Sequence, residues 1–103
     1  MKTIRIGSGA GYSGDRIDPA VELCARGDIA YLGFECLAER TIALAQQERL
    51  ARPEAGYDPL LVARFEAVLP ICAARRIRVI TNMGAANPLA AAERVAAIAR
   101  DLG

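Results

Sequence analysis

The sequence predicts an α/β fold: a parallel sheet of three strands in a βα-repeat unit, in the order β-α-β-α-α-β-α, with Rossmann-like three-layer packing. Three observations carry this. Short β-branched or apolar runs alternate with longer stretches of helical periodicity. The pairs Asp18-Pro19, Asp58-Pro59 and Asn87-Pro88 stand where the helices should begin, an Asx side chain capping and a proline in the first turn. No stretch between these elements is long enough to join two domains, so residues 1–103 are read as one α/β domain.

Thr3 to Ile6 alternates and is β-branched, a short first strand. Gly7 to Gly14 follows as a loop with four glycines in eight residues. Asp18 caps a helix that Gly27 closes, with Ala20, Leu23 and Cys24 as its apolar stripe. Ile29 to Phe34 is almost wholly apolar, which suits an interior strand covered on both faces. A second helix spans about residues 38–51, and Arg52 to Tyr57, with Pro53 and Gly56, connects it to the next element. Asp58-Pro59 opens a third helix toward Arg76, with Leu61, Phe65, Val68, Leu69 and Cys72 on its apolar face. Pro70 inside it should kink or split it. Ile77 to Ile80 is the third strand, and Asn87-Pro88 opens a last helix to Leu102. Three parallel strands leave two open edges, so the sheet is expected to be part of a larger one, completed by another copy, a second chain or further sequence.

Net charge is +1, with acids and bases mixed along the chain, which gives no electrostatic case for nucleic acid or an anionic membrane. Lys2 leads directly into a strand pattern and no apolar run reaches a membrane span, so a cytoplasmic protein is expected. Three widely spaced cysteines fit reduced thiols better than a disulfide framework. The chain has no His, which excludes a Ser-His-Asp triad, a Cys-His dyad and a His-based zinc site within it. The sequence assigns no metal and no cofactor.

Ligands of parallel α/β sheets bind outside the carboxyl ends of the strands. Three loops meet there. In the first, Gly9, Gly11 and Gly14 lead toward a helix N-terminus, where free N–H groups suit a phosphate or carboxylate. With Gly7 the glycines fall at intervals of two, two and three, no Lys follows as in Walker A, and a tight turn is the alternative. Asp15 and Arg16 are placed to orient a substrate or to pair with each other. In the second, Glu35 closes an apolar strand and Glu39 follows four residues on, one helical turn away. Two such carboxylates can split their pKa values as acid and base or hold a divalent cation, while Glu39 alone suits a first helical turn. Cys36 is either a thiol activated by a helix N-terminus or a small buried hydrophobe. In the third, Asn82 ends a strand with an amide that can donate and accept, Gly84 lies in the turn, and Asn87 suits a helix cap. Asp15, Glu35 and Glu39 are the catalytic candidates. Gly9, Gly11, Gly14, Arg16, Cys36, Asn82, Gly84 and Asn87 are the substrate-binding candidates.

Three stretches together resemble the amino-terminal part of the acyclic terpene utilisation (AtuA-like) family: Ile4-Arg5-Ile6-Gly7 through Gly14-Asp15, Tyr31-Leu32 through Thr41, and Thr81-Asn82-Met83-Gly84 through Asn87-Pro88. The resemblance spans essentially the whole chain. It implies a bacterial cytoplasmic protein associated with catabolism of branched acyl groups as coenzyme A thioesters. Asp15, Glu35, Glu39, Asn82 and Asn87 fall on the family's recurring polar positions. Glu35-Cys36 stands where the family typically has Asp-Tyr, and family members are several times longer, so a fragment or one part of a split protein is expected. Two functions follow as expectations. One is an enzyme or enzyme fragment binding an acyl-CoA or small carboxylate ligand. The other is a non-catalytic partner or structural subunit that completes its sheet with another chain or as a homo-oligomer.

Overall fold

A computed structural model describes residues 2–103. Three parallel strands, β1 (Ile6–Ala10), β2 (Tyr31–Phe34) and β3 (Arg78–Thr81), form one sheet in the order β1-β2-β3. The helices α1 (Asp18–Arg26), α2 (Glu39–Ala51), α3 (Leu61–Arg75) and α4 (Pro88–Leu102) complete the expected β-α-β-α-α-β-α order. With right-handed crossovers, a strand order that advances in one direction sends both connections over the same face of the sheet. The burial follows: Leu32 and Phe34 of β2 are buried, and α3 packs against both α1 and α4.

The other face of the sheet is bare. Ile6 is 74 % exposed and Ile80 is 64 % exposed, with Ser8 and Arg78 exposed beside them. The described residues therefore build two of the three layers expected from the sequence. The apolar run of β2 is covered on one face, with Tyr31 and Gly33 only partly covered on the other.

The first strand lies further along the chain than its β-branched residues suggest. Pairing with β2 (Ile6 with Tyr31, Gly7 with Leu32, Ser8 with Gly33, Ala10 with Phe34) draws half of the glycine-rich segment into the sheet. Packing explains two of those glycines. A Cβ on Gly7 would lie 2.5 Å from Leu23, and one on Gly9 would lie 2.6 Å from the Phe34 ring. Gly9 thus lets β1 and β2 approach the helical layer.

Helix α1 starts one residue before the expected cap. Ile17 is the N-cap residue, and Asp18, already helical, pairs with Arg16 at 2.6 Å. Gly27 does close α1, but the left-handed residue is Asp28 (φ 52°). Gly27 is needed because a Cβ there would lie 2.5 Å from the Leu23 carbonyl oxygen. Helix α3 runs through Pro70 without a break. Residues Glu66 and Pro70 are both exposed, so the carbonyl that loses its partner there is on the solvent side. Asn87 caps α4 as expected, accepting from the Ala90 N–H.

Candidate functional site

The carboxyl ends of the three strands carry the loops that the sequence singled out, and hydrogen bonds tie these loops together. In the first, the Asp15 carboxylate accepts from the backbone N–H groups of Gly11 and Arg16, both at 2.9 Å. Those bonds stabilise the ionised form and hold Asp15 below its ordinary pKa. Asp15 is thereby the organiser of its own turn. Arg16 spends its guanidinium on the exposed pair with Asp18.

The second and third loops meet at Asn82. Its Oδ1 accepts from the Cys36 N–H at 2.9 Å, and its Nδ2 donates to Glu35 Oε1. Glu35 also accepts from the Leu37 N–H at 3.0 Å. The Asn82 bond first, then the Leu37 bond, lower the Glu35 pKa, so this exposed carboxylate is ionised at neutral pH. Replacing Asn82 with Ala orphans the buried Cys36 N–H and should destabilise the fold by about 1–3 kcal/mol. It should also raise the Glu35 pKa, which carboxyl-carbon NMR titration would read directly. An unchanged Glu35 titration would dissociate the two residues.

Glu35 and Glu39 are not one helical turn apart. Ala38 is extended (φ −129°, ψ 174°) and α2 begins at Glu39, so residues 35–38 carry no helical spacing. Glu39 is exposed in the first turn of α2. The Thr41 hydroxyl satisfies the Ala38 backbone there, as in half a capping box. Asn87 is buried, and its amide is engaged inside the protein, with Nδ2 donating to Pro53 O and Ala55 O at 2.9 and 2.8 Å. Gly84 lies against Pro88, where a Cβ would come within 2.8 Å of Cα. Gly11 and Gly14 differ from the other loop glycines: a Cβ on either would meet only ordinary contacts, at 3.9 and 3.7 Å.

Cys36 is buried, and desolvation pushes its thiol up to about 11. It is a neutral thiol at physiological pH, which agrees with the small-hydrophobe reading and not with an activated nucleophile. Cys24 and Cys72, as expected, sit in the core between α1 and α3, their free thiols sharing a hydrogen bond at 3.7 Å between the Sγ atoms. Burial raises Cys72 as well, to about 12. A folded pKa above the unfolded one contributes stability that is complete below the unfolded value near 9.0 and is lost as pH rises toward 11–12. Thermal midpoints should therefore hold up to about pH 9 and fall above it. Iodoacetamide should label Cys36 slowly at pH 7; rapid labelling would contradict the raised pKa.

Three residues outside the sequence-based set complete the site. Ser13 Oγ donates to Asp58 Oδ2 at 2.7 Å, while Asp58 Oδ1 caps the turn before α3 by accepting from the Leu60 N–H at 2.8 Å. Arg64 of α3 is fully buried. Its Nη2 donates to the carbonyls of Ser13 and Asp15 at 2.9 and 3.0 Å, and its guanidinium lies 5.8 Å from the Phe34 ring centre. Its position between Leu61 and Val68 in the apolar stripe was the available signal: an Arg in a buried row demands a polar partner.

A cavity of about 690 Å³ opens beside these loops, between α2 and the segment from Glu54 to Pro59. Leu37, Leu44, Ala45, Ala51, Ala55 and Tyr57 give it an apolar wall, and Ser13, Cys36, Asp58 and Asn82 border it at the strand ends. Helix α2 forms its outer side and is otherwise largely exposed, with Ala45 as its one buried residue. Gly56 (φ +109°) permits the close approach, since a Cβ there would lie 2.8 Å from that of Arg49, and Arg49 reaches across to the Ala86 carbonyl at 2.8 Å. Glu39 and Asn87 do not line the cavity; Cys36 and Asn82 do.

No helix among the described residues is long and apolar enough to cross a membrane. Among the same residues, no group of three or more His, Cys, Asp or Glu side chains is arranged to hold a metal ion. The family model described as acyclic terpene utilisation family protein AtuA matches residues 4–103. No curated protein and no solved structure matches the chain at a significant level.

Proposed function

The chain belongs to the acyclic terpene utilisation family AtuA, and from that premise we propose that the cavity beside α2 binds a branched acyl compound, as a small carboxylate or its coenzyme A thioester. The observation that carries this is the division of the cavity. A wall of Leu37, Leu44, Ala45, Ala55 and Tyr57 suits a branched hydrocarbon chain, and at the polar end the Asn82 amide keeps a second N–H, beside its bond to Glu35, for an oxygen of an acyl head. Its volume, about 690 Å³, lies in the range of small-molecule sites.

Within this reading Asn82 orients the head, and Glu35 holds Asn82. A carboxylate kept ionised by two hydrogen bonds is a weak base. The site is therefore better built for binding than for proton transfer by Glu35. A thermal melt with a panel of branched carboxylates, their thioesters, adenine nucleotides and divalent cations tests the reading, because a ligand of the native state raises the midpoint by mass action. A shift with branched acyl compounds is expected. A cooperative melt that none of them moves would refute it. Glu35→Gln should weaken the shift, and because the fold favours the ionised form it should lower the midpoint of the free protein slightly without abolishing the cooperative melt.

The bare sheet face favours a second reading, a subunit that completes its sheet and layers with another chain. Ile6 and Ile80 stand exposed there, and both β1 and β3 are sheet edges. Light scattering after gel filtration separates the readings: a monomer with a cooperative melt would remove the need for a partner.

A further inference from the structure

Arg64 is the charged group that the loops leave incompletely used. It is fully buried, and no carboxylate is ion-paired with it among the described residues. Nη2 is satisfied by two loop carbonyls, but Nε and Nη1 have no acceptor from the protein. Burying a guanidinium with three N–H bonds unmatched is costly, and a folded chain tolerates that where something else completes the set. The phenyl face of Phe34 compensates only part of the charge.

The position of Arg64 indicates what that something is. It does not itself line the cavity, but it is linked to residues that do. Its Nη2 bonds to the carbonyl of Ser13, whose residue borders the cavity, and its charge bears on the thiol of Cys36, a second bordering residue. The layer in front of it is the segment from Gly11 to Arg16. Neither packing nor a left-handed φ demands glycine at 11 or 14, and both residues are exposed. Glycine at 11 and 14 widens the backbone conformations open to this segment, which the bonds of Asp15, Ser13 and Arg64 hold in the arrangement described.

We propose that Arg64 is the receptor for an anionic head group: the carboxylate of a branched acid seats against Nε and Nη1 beneath the Gly11–Arg16 segment, with the hydrocarbon chain in the cavity along α2. This rests on the acyl-binding reading above and deepens it, since it selects the free acid over neutral derivatives. Charge-assisted bonds from Arg to a carboxylate are the strong and directional kind.

Isothermal titration calorimetry with a ten-carbon isoprenoid carboxylate and its methyl ester tests the proposal. The acid should bind on the order of tenfold tighter than the ester. Arg64→Gln, which keeps a donor for the loop carbonyls, should bring that ratio to about one. Equal affinities of acid and ester for the unaltered protein would overturn the inference and leave the cavity reading standing. Binding of neither would overturn both. An acid-to-ester ratio that survives Arg64→Gln would overturn the role of Arg64. If that variant fails to fold, the ratio in the unaltered protein decides, and Arg64→Lys, which keeps the charge, should retain a preference for the acid.

Discussion

Phe34→Ala is expected to unfold the protein at 37 °C. The ring is buried, packs edge-on against Phe65 with centroids 6.3 Å apart, fills the space left by the missing Cβ of Gly9, and lies under Arg64. Removing a buried aromatic costs about 3–5 kcal/mol through lost transfer energy and the cavity left behind. A small domain has only about 5–15 kcal/mol in total, and a chain of 103 residues sits low in that range. Arg64 would in addition face a void. Circular dichroism melts should show a lost or strongly lowered transition. A midpoint within a few degrees of the parent would mean that the ring does not join the sheet to α3.

Leu44→Glu should abolish ligand binding and leave the fold intact. Leu44 lines the cavity yet is 49 % exposed, so the new carboxylate keeps its water in the free protein. Ligand binding would bury that charge against a hydrocarbon chain, a cost of a few kcal/mol and a weakening on the order of a hundredfold. The contrast with Phe34→Ala is informative: one variant should lose the fold, the other only the site. An unaltered affinity in Leu44→Glu would place the ligand elsewhere.

The parts of the fold legible in the sequence were those dictated by local chemistry. That the apolar run ending at Phe34 is a strand, that Asn87 caps α4, and the order of the elements needed only period and capping, and these stand as read. What failed depended on partners distant in sequence. The glycines at 7 and 9 looked like loop because their reason, the side chains of Leu23 and Phe34, lies in other elements. Strand order decides how many faces the helices cover, and no local pattern encodes strand order. The Leu32 and Phe34 alternation therefore could not announce a bare second face.

The site divides in the same way. Asn82 and Glu35 were visible because a polar residue ending an apolar strand has little packing reason to be there, and they do meet. Glu39, read with Glu35 through helical spacing, is separated from it by the extended backbone at Ala38. Arg64 went unnoticed because helical charges usually face water. Only the row of Leu61, Phe65 and Val68 around it marks its burial, and only the tertiary structure shows that it holds the loop at Ser13 and Asp15.

The central claim is that the cavity beside α2 holds a branched acyl chain with its head at the strand ends. Amide chemical-shift mapping during titration with a ten-carbon isoprenoid carboxylate tests it most directly. The account predicts saturable shifts at Leu37, Leu44, Ala45, Tyr57 and Asn82, with Ile6 and Ile80 on the bare sheet face unmoved. Shifts confined to Ile6, Gly33 and Ile80, or none at all, would contradict it.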